Sequence, residues 1–429
     1  MNYIESVKVD EFWGERTLEF KFNDDVNFII GINGSGKTTA VNIIVAALTA
    51  NFSELDRSDF TKITIKLKSK SSKKKPSITI TKLPVKELPF SQIVYEIKES
   101  SSDKPVTLSL DDYEEQMMIR KYPRHMLERE LLRRKSQNIN ISLNKMVNVS
   151  WLSVNRASVC ASMENFDEDD YASSVDRKLK ELSNRLVRYF STLGKKGSEQ
   201  FENFQKEVFL SMLFRKGSKP FFSTAKKINL DDEKKALEVI FNQFKVATKD
   251  FKSKLDTHFD ALGKAKEKLS SDKPGMLNTA DISVLIGTER IDYIVEEWER
   301  SIEKRKEIFE PRDTFLQIIN SMMQRKTFSI NAQNELQVTT QSGKNLPIHR
   351  LSSGEKQLLI VLGEALLQEK QSWVYIADEP ELSLHVRWQE SLVDNLRSIN
   401  PNSQIIFATH SPDVVSTFVN KIFDMECMF

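Results

Sequence analysis

Cysteine is scarce in this chain. It occurs only at Cys160 and Cys427, far apart and without a C-x-x-C spacing, which argues against a disulfide framework and against a zinc site and suits a reducing cytoplasm. No stretch approaches the length of a membrane-spanning helix, and Met1 to Asp10 lack the basic segment and apolar core of a secretory signal. Secretion, membrane insertion and a membrane partner are therefore not expected. An excess of one charge is missing as well: 63 Lys and Arg face 61 Asp and Glu, for a net charge of +2. Composition does not announce a nucleic-acid binder, and any basic surface must be local. Neither a repeat of fixed period nor a heptad sustained over many turns is present, so a very long coiled coil is not expected. What remains is 429 residues with 39% hydrophobic content, enough for two or three domains or one large head with an insertion.

The most informative stretch is Gly31 to Thr38, G-I-N-G-S-G-K-T, following the apolar run Val26 to Ile30. It reads as a strand entering a phosphate-binding loop that opens a helix. Gly31, Gly34 and Gly36 let the backbone curl so that successive N–H groups face phosphates, and the helix adds its positive end. Lys37 would reach the β- and γ-phosphates of a nucleoside triphosphate and Thr38 would hold Mg²⁺. Asn33, Ser35 and Thr39 complete the candidate nucleotide-binding loop.

Around this loop, alternation of apolar and polar residues predicts strands at Tyr3–Val9 and Thr17–Phe22, in a mixed sheet with the strand entering the loop. Further strands at Ile63–Leu67, Ser77–Thr81 and Ile93–Ile97 suggest an antiparallel side sheet with a basic loop around Lys73, Lys74 and Lys75. From Val175 to Met323 the spacing turns helical, with breaks at Gly194–Gly197, Gly217–Pro220 and Lys273–Gly275 that divide the block into several short helices. Strands return at Thr327–Ile330 and Leu336–Thr339, joined by a hairpin loop, before a final α/β rhythm. The expected division is 1–155, an N-terminal lobe; 156–326, a helical insertion; and 327–429, a C-terminal lobe.

Three further motifs follow in the last eighty residues. Ser352 and Glu355 in L-S-S-G-E-K-Q form a capping box, and Ser352, Ser353, Gly354 and Glu355 at that helix tip also make an anion site for a γ-phosphate. The strand Val374 to Ala377 ends in Asp378 and Glu379. Asp378 would sit beside Mg²⁺, directly or through water, while Glu379 would orient or deprotonate the attacking water. The strand Gln404 to Ala408 leads to His410, a candidate γ-phosphate contact.

Taken in order, G-I-N-G-S-G-K-T, L-S-S-G-E-K-Q, Y-I-A-D-E-P and A-T-H-S resemble the phosphate loop, signature, carboxylate strand and switch histidine of ATP-binding-cassette ATPase heads. The resemblance implies an α/β head, with a mixed sheet, an antiparallel side sheet and an inserted helical domain, that uses ATP and Mg²⁺. It also implies head-to-tail dimers in which Ser353 and Gly354 act on the partner's nucleotide. The long insert and missing membrane segment are similar to the branch holding the structural-maintenance-of-chromosomes, Rad50, RecF and overcoming-lysogenization-defect types. The run Asp378 to His385 with Ala408 to Pro412 is most similar to anti-phage ATPases, above all the PtuA type of Septu systems, including retron-linked forms. No nuclease motif is evident before Phe429, so the resemblance implies an effector on another polypeptide, an HNH nuclease in the PtuA comparison, with DNA or a retron nucleic acid as a further partner.

The alternative is a repair or chromosome-organising ATPase that clamps DNA through basic segments such as Lys68–Lys75 and Arg120–Lys135; a third reading is a scaffold that binds ATP and barely turns it over. His385 belongs either to a dimer-facing loop or to a helix start. Gln92 and Gln137 are weak candidates for a magnesium-sensing glutamine, and Arg16 and Arg156 for phosphate contacts or salt bridges.

Overall fold

A computed structural model describes residues 2–69, 74–83, 92–100, 102–108, 139–152, 174–213, 230–270 and 278–428. Cys160, Arg156, Gln137, Lys73, the run Arg120–Lys135 and the sequence breaks at Gly217–Pro220 and Lys273–Gly275 lie outside them. The chain divides into two compact units, one from Met1–Tyr189 with Arg312–Phe429, the other from Phe190–Pro311.

Among the described residues the first unit holds three sheets. Strands β1 (Asn2–Phe12), β2 (Arg16–Lys21), β4 (Lys62–Ser69), β5 (Ser77–Leu83), β6 (Gln92–Lys98) and β7 (Val106–Leu108) form an antiparallel sheet ordered β2-β1-β4-β5-β6-β7. Strands β3 (Val26–Ile30), β8 (Val149–Leu152), β12 (Val374–Asp378), β13 (Gln404–Ala408) and β14 (Ile422–Asp424) form a parallel sheet ordered β14-β3-β13-β12-β8. A third sheet joins β9 (Lys326–Ile330), β10 (Leu336–Thr340) and β11 (Asn345–Leu346).

The two N-terminal strands, expected in one mixed sheet with β3, pair instead with each other and with β4. Alternation marks a strand but carries no record of its partner. The two sheets differ in burial: β1 and β2 bury only part of their residues, whereas β12 and β13 are buried at every residue, as a parallel sheet covered on both faces requires. Gln404 ties the two sheets at the start of β13, accepting from the Ile4 N–H at 2.8 Å and donating to the Ile4 and Asn23 carbonyls at 2.8 and 2.7 Å.

Helix α1 (Lys37–Leu48) lies in the hydrophobic core shared by these sheets, with Ala40, Val41 and Ile43 to Leu48 buried. Such all-round apolarity is that of an interior helix, and each fully buried Val, Leu or Ile contributes roughly 1.5–3 kcal/mol. The buried Tyr95 hydroxyl of β6 donates to the Ala47 carbonyl at 3.1 Å, and its ring meets Phe52, the first residue of α2 (Phe52–Arg57), edge-on. Residues 139–146 are helical and are labelled α3.

Helix α4 (Ser174–Ser211) runs on as a single element through Gly194 and Gly197, where breaks were expected. An interior glycine costs a helix only about 1 kcal/mol, less than packing supplies. Gly197 serves close approach, since a Cβ there would lie 2.9 Å from the Phe309 ring. With α5 (Leu230–Gln243), α6 (Thr248–Ser270) and α7 (Thr279–Met322), its later turns build the second unit around Phe204, Leu255, Phe259 and Trp298. Pro311, within α7, marks the division between the units. Helices α8 (Ser353–Leu366), α9 (Val386–Ile399) and α10 (Pro412–Val415) complete the first unit. Among the described residues no helix is long and apolar enough to cross a membrane.

Candidate nucleotide site

Three neighbouring strands of the parallel sheet, β3, β13 and β12, end at one edge. In open α/β sheets ligands bind outside the carboxyl ends of the strands, and here those ends carry the phosphate loop, His410 and the Asp378–Glu379 pair.

The loop has the backbone its glycines make possible. Gly34 and Gly36 take φ values of 85° and 92°, and Gly31 of 150°. Gly36 immediately precedes α1, so the N–H groups of the first turn open toward the loop. Asn33 is exposed at the tip, Gly31, Ser35, Thr38 and Thr39 are half-buried, and Lys37 is buried. The Lys37 ammonium donates to the carbonyls of Gly31 at 2.8 Å and Ile32 at 3.0 Å. Burial pushes its pKa down, against the pull of Glu379, Asp378 and Glu426. The Ser35 hydroxyl is buried and makes no hydrogen bond. An orphaned hydroxyl, a lysine turned over the loop and glycines in left-handed backbone fit a polyphosphate.

The Thr38 hydroxyl, on the first turn of α1, donates to Asp378 at 3.0 and 3.2 Å. Burial raises the Asp378 carboxyl above its usual range; the Thr38 hydrogen bond, Lys37 and His410 pull the other way, and Glu379 adds to the rise. A hydroxyl beside a buried carboxylate is a hard-oxygen pair suited to Mg²⁺. The chain turns sharply after β12, with Glu379 at φ 45° and its N–H bonded to the Ala408 carbonyl at 2.7 Å. Its carboxylate then stands 3.5 Å from Nε2 of His410. Lys37, Thr38, Asp378, Glu379 and His410 are thus brought together from segments more than three hundred residues apart.

The signature residues contact a different set. Ser352 caps α8, accepting from the Glu355 N–H at 3.4 Å while Glu355 accepts from the Ser352 N–H at 2.8 Å, so both arms of the expected capping box are present. Glu355 also takes a two-oxygen ion pair from Lys326 at 2.6 Å. Burial works against its charge, but Lys326 and Ser352 outweigh that and hold its pKa low. Gly354 abuts the loop after β12: a Cβ there would come within 2.3 Å of the Ser383 carbonyl. Ser352 and Ser353 are exposed. His385 caps α9, its Nδ1 accepting from the Arg387 N–H at 3.3 Å, which is the helix-start geometry. Gln92 opens β6 opposite Leu83, and Arg16 opens β2 opposite Phe12, each in the antiparallel sheet.

Two residues of this edge escape a reading of sequence alone. Trp13, with φ 59°, is held in the β1–β2 turn by an N–H bond to the Asp59 carbonyl at 3.2 Å. It stacks on Phe12 with ring centroids 4.9 Å apart, and its ring lies so close to Gly36 that a Cβ there would meet it at 2.8 Å. The ring remains 43% exposed beside the phosphate loop. The available signal was a Phe-Trp-Gly turn just before the strand that enters the loop. The second, Glu381, carries no local signal, because its burial depends on residues near position 410.

Loop, carboxylates and histidine thus meet at adjoining strand ends, and the chain is an α/β ATPase. It belongs to the AAA ATPase domain family AAA_15, whose model matches residues 3–415. Over 138 residues it is 30% identical to a retron Vc95 probable ATPase of Vibrio cholerae serotype O1 biovar El Tor, covering 29% of this chain and 26% of that protein. The match thus spans about a quarter of the relative's length. Among solved structures it is similar to the Smc head domain with an extended coiled coil bound to the C-terminal domain of ScpA from Pyrococcus furiosus, with TM-score 0.45, 13% identity, and coverage of 97% of this chain and 91% of that one. The SMC head domain from Thermotoga maritima aligns with TM-score 0.41 and 11% identity, covering 96% of this chain and 90% of that one.

Proposed function

We propose that this chain is the nucleotide-gated ATPase subunit of a bacterial anti-phage complex of the PtuA kind, which regulates or positions a separate nuclease, of HNH type, through nucleotide-dependent assembly. The observation that carries the ATPase part is the convergence of Lys37, Thr38, Asp378, Glu379 and His410 at adjoining strand ends. The similarity to a retron ATPase supports the defence setting.

In this reading the N–H groups of Gly34 to Thr39 and the Lys37 ammonium bind the β- and γ-phosphates, and the nucleobase rests on Trp13. Thr38 and Asp378 would hold Mg²⁺, which when bound neutralises phosphate charge. Glu379 orients the attacking water or takes its proton, and His410 faces the γ-phosphate from the adjoining end of β13. Exposed Ser353, with Gly354, completes the site of a second copy, so that ATP reports on assembly.

Reconstitution with a candidate HNH nuclease tests the proposal. DNA cleavage is expected to require both chains and to change with nucleotide, and to lose that response in Lys37→Ala. Metal-dependent DNA degradation by the chain alone, intact in Glu379→Gln, would contradict it.

A DNA clamp is the second reading, favoured by exposed Lys62, Lys66, Lys68 and Lys75 on and just beyond β4. It calls for ATP-dependent binding that weakens with salt and with neutralisation of these lysines; duplex DNA left unbound at low salt excludes it.

A further inference from the structure

The loop after β12 contains a second glutamate whose position is unlike that of a surface acid. Glu381 is 8% exposed. Its Oε1 accepts the Thr409 hydroxyl and, at 3.2 Å, the backbone N–H of His410. Oε2 is buried with no hydrogen bond. Thr409 is itself fully buried, and its hydroxyl oxygen accepts from the Ser411 N–H at 2.9 Å. The Ser411 hydroxyl donates to Gln389 at 2.7 Å, and the Gln389 amide donates to the Leu384 carbonyl at 2.9 Å. Leu384 in turn donates its N–H to the Glu381 carbonyl at 2.8 Å. These links close a ring through Glu381, Thr409, Ser411, Gln389 and Leu384, and His410 is the residue between two of its members.

We propose that Glu381 is a positioning residue for ATP hydrolysis, fixing the backbone of His410 so that its imidazole stays opposite Glu379. The inference rests on the ATPase reading of Glu379 and His410 given above.

The chemistry explains why a carboxylate occupies the site. One oxygen must accept two donors from adjacent residues of another strand end, the Thr409 hydroxyl and the His410 N–H, in a place closed to water. A carboxylate oxygen, with its charge, meets such a demand more strongly than a neutral acceptor. The geometry it maintains is narrow, because His410 is exposed, its backbone N–H is held by this anchor, and its imidazole stands 3.5 Å from Glu379. Misplacement of a reacting group by about 1 Å costs on the order of 10²-fold in rate. The carboxylate itself does not touch the nucleotide, so binding should survive its removal.

The experiment uses full-length protein and measures MgATP turnover and nucleotide affinity separately for Glu381→Ala, Glu381→Gln, Thr409→Val and the pairing of Glu381→Ala with His410→Ala. Glu381→Ala is expected to lower kcat by about 10- to 100-fold with KM within about threefold. Glu381→Gln, which keeps an acceptor oxygen without its charge, recovers part of the loss, and Thr409→Val reproduces part of it. In the His410→Ala background Glu381→Ala adds less than about twofold, as coupled residues acting through one step do. Wild-type kcat in Glu381→Ala, or losses that multiply in the double variant, overturn the proposal while leaving the ATPase reading in place. If Glu381→Ala does not fold, Thr409→Val carries the same comparison with His410→Ala. Absence of turnover in the wild type, with Glu379→Gln indistinguishable from it, removes both.

Discussion

The Thr38 hydroxyl donates to both carboxylate oxygens of Asp378, at 3.0 and 3.2 Å, although 340 residues separate them in sequence. This bond joins the phosphate loop to the carboxylate strand across β13, which lies between β3 and β12. It also leaves a carboxylate in a place where burial disfavours its charge. Any charge held there is held against that burial.

Asp378→Asn removes the disfavoured charge while keeping an acceptor for Thr38. Without metal and nucleotide the variant should melt at or above the wild-type temperature. Its Mg²⁺-dependent ATP hydrolysis should fall on the order of 10²-fold or more, in line with loss of a charge that acts on the phosphates. Differential scanning calorimetry in EDTA and a magnesium titration of turnover check the two halves; a strongly destabilised apo variant would contradict the placement.

Lys326 and Glu355 set a pH dependence of opposite sign. The folded pKa of Glu355 lies below its unfolded value, so the unfolded state binds the proton more readily, and the stability gained is present at neutral pH and lost as pH falls below the ordinary carboxylate value. Lys326→Met should cost about 1–2 kcal/mol at pH 7. The gap from wild type should narrow as pH is lowered toward 4 and below, measured by urea unfolding at a series of pH values.

Trp13 gives a binding prediction. Base–aromatic stacking is worth about 1–3 kcal/mol, so Trp13→Ala should weaken ATP binding by about tenfold, with Trp13→Phe between the two. Calorimetric titration of the three proteins with a slowly hydrolysed ATP analogue measures this, and equal affinities would remove the base from that ring.

Gly354 separates shape from chemistry. The Ser383 carbonyl leaves no room for a methyl group, so Gly354→Ala must shift the loop after β12 and should cost about 1–3 kcal/mol of stability, as overpacking does. Ser353→Ala has no such obstacle and should leave the fold unchanged. Both are expected to weaken ATP-dependent self-association, read as mass by light scattering.

Much of this edge was legible in sequence because its signals are local. The glycine spacing of Gly31 to Gly36, the unbroken apolar runs before Asp378 and His410, and the Ser352–Glu355 box each need only a few neighbouring residues. What stayed hidden depends on distant partners. Gly194 and Gly197 read as breaks, yet α4 passes through both because packing outweighs the small cost of an interior glycine, and Gly197 is shaped to the Phe309 ring. The choice of sheet for β1 and β2 follows from which strand they meet, and alternation is silent on that. Nothing in the residues around Glu381 marks its burial; the Thr409 hydroxyl that bonds to it comes 28 residues later.

The most direct measurement is single-turnover phosphate release from MgATP by the wild type and by Glu379→Gln, with ATP affinity determined for both. The wild type should release phosphate, and Glu379→Gln should bind ATP with affinity within about threefold while releasing phosphate on the order of 10²-fold more slowly. Equal release by the two proteins, or none from the wild type even with a candidate nuclease added, would contradict the assignment of Lys37, Thr38, Asp378, Glu379 and His410 as the hydrolytic site.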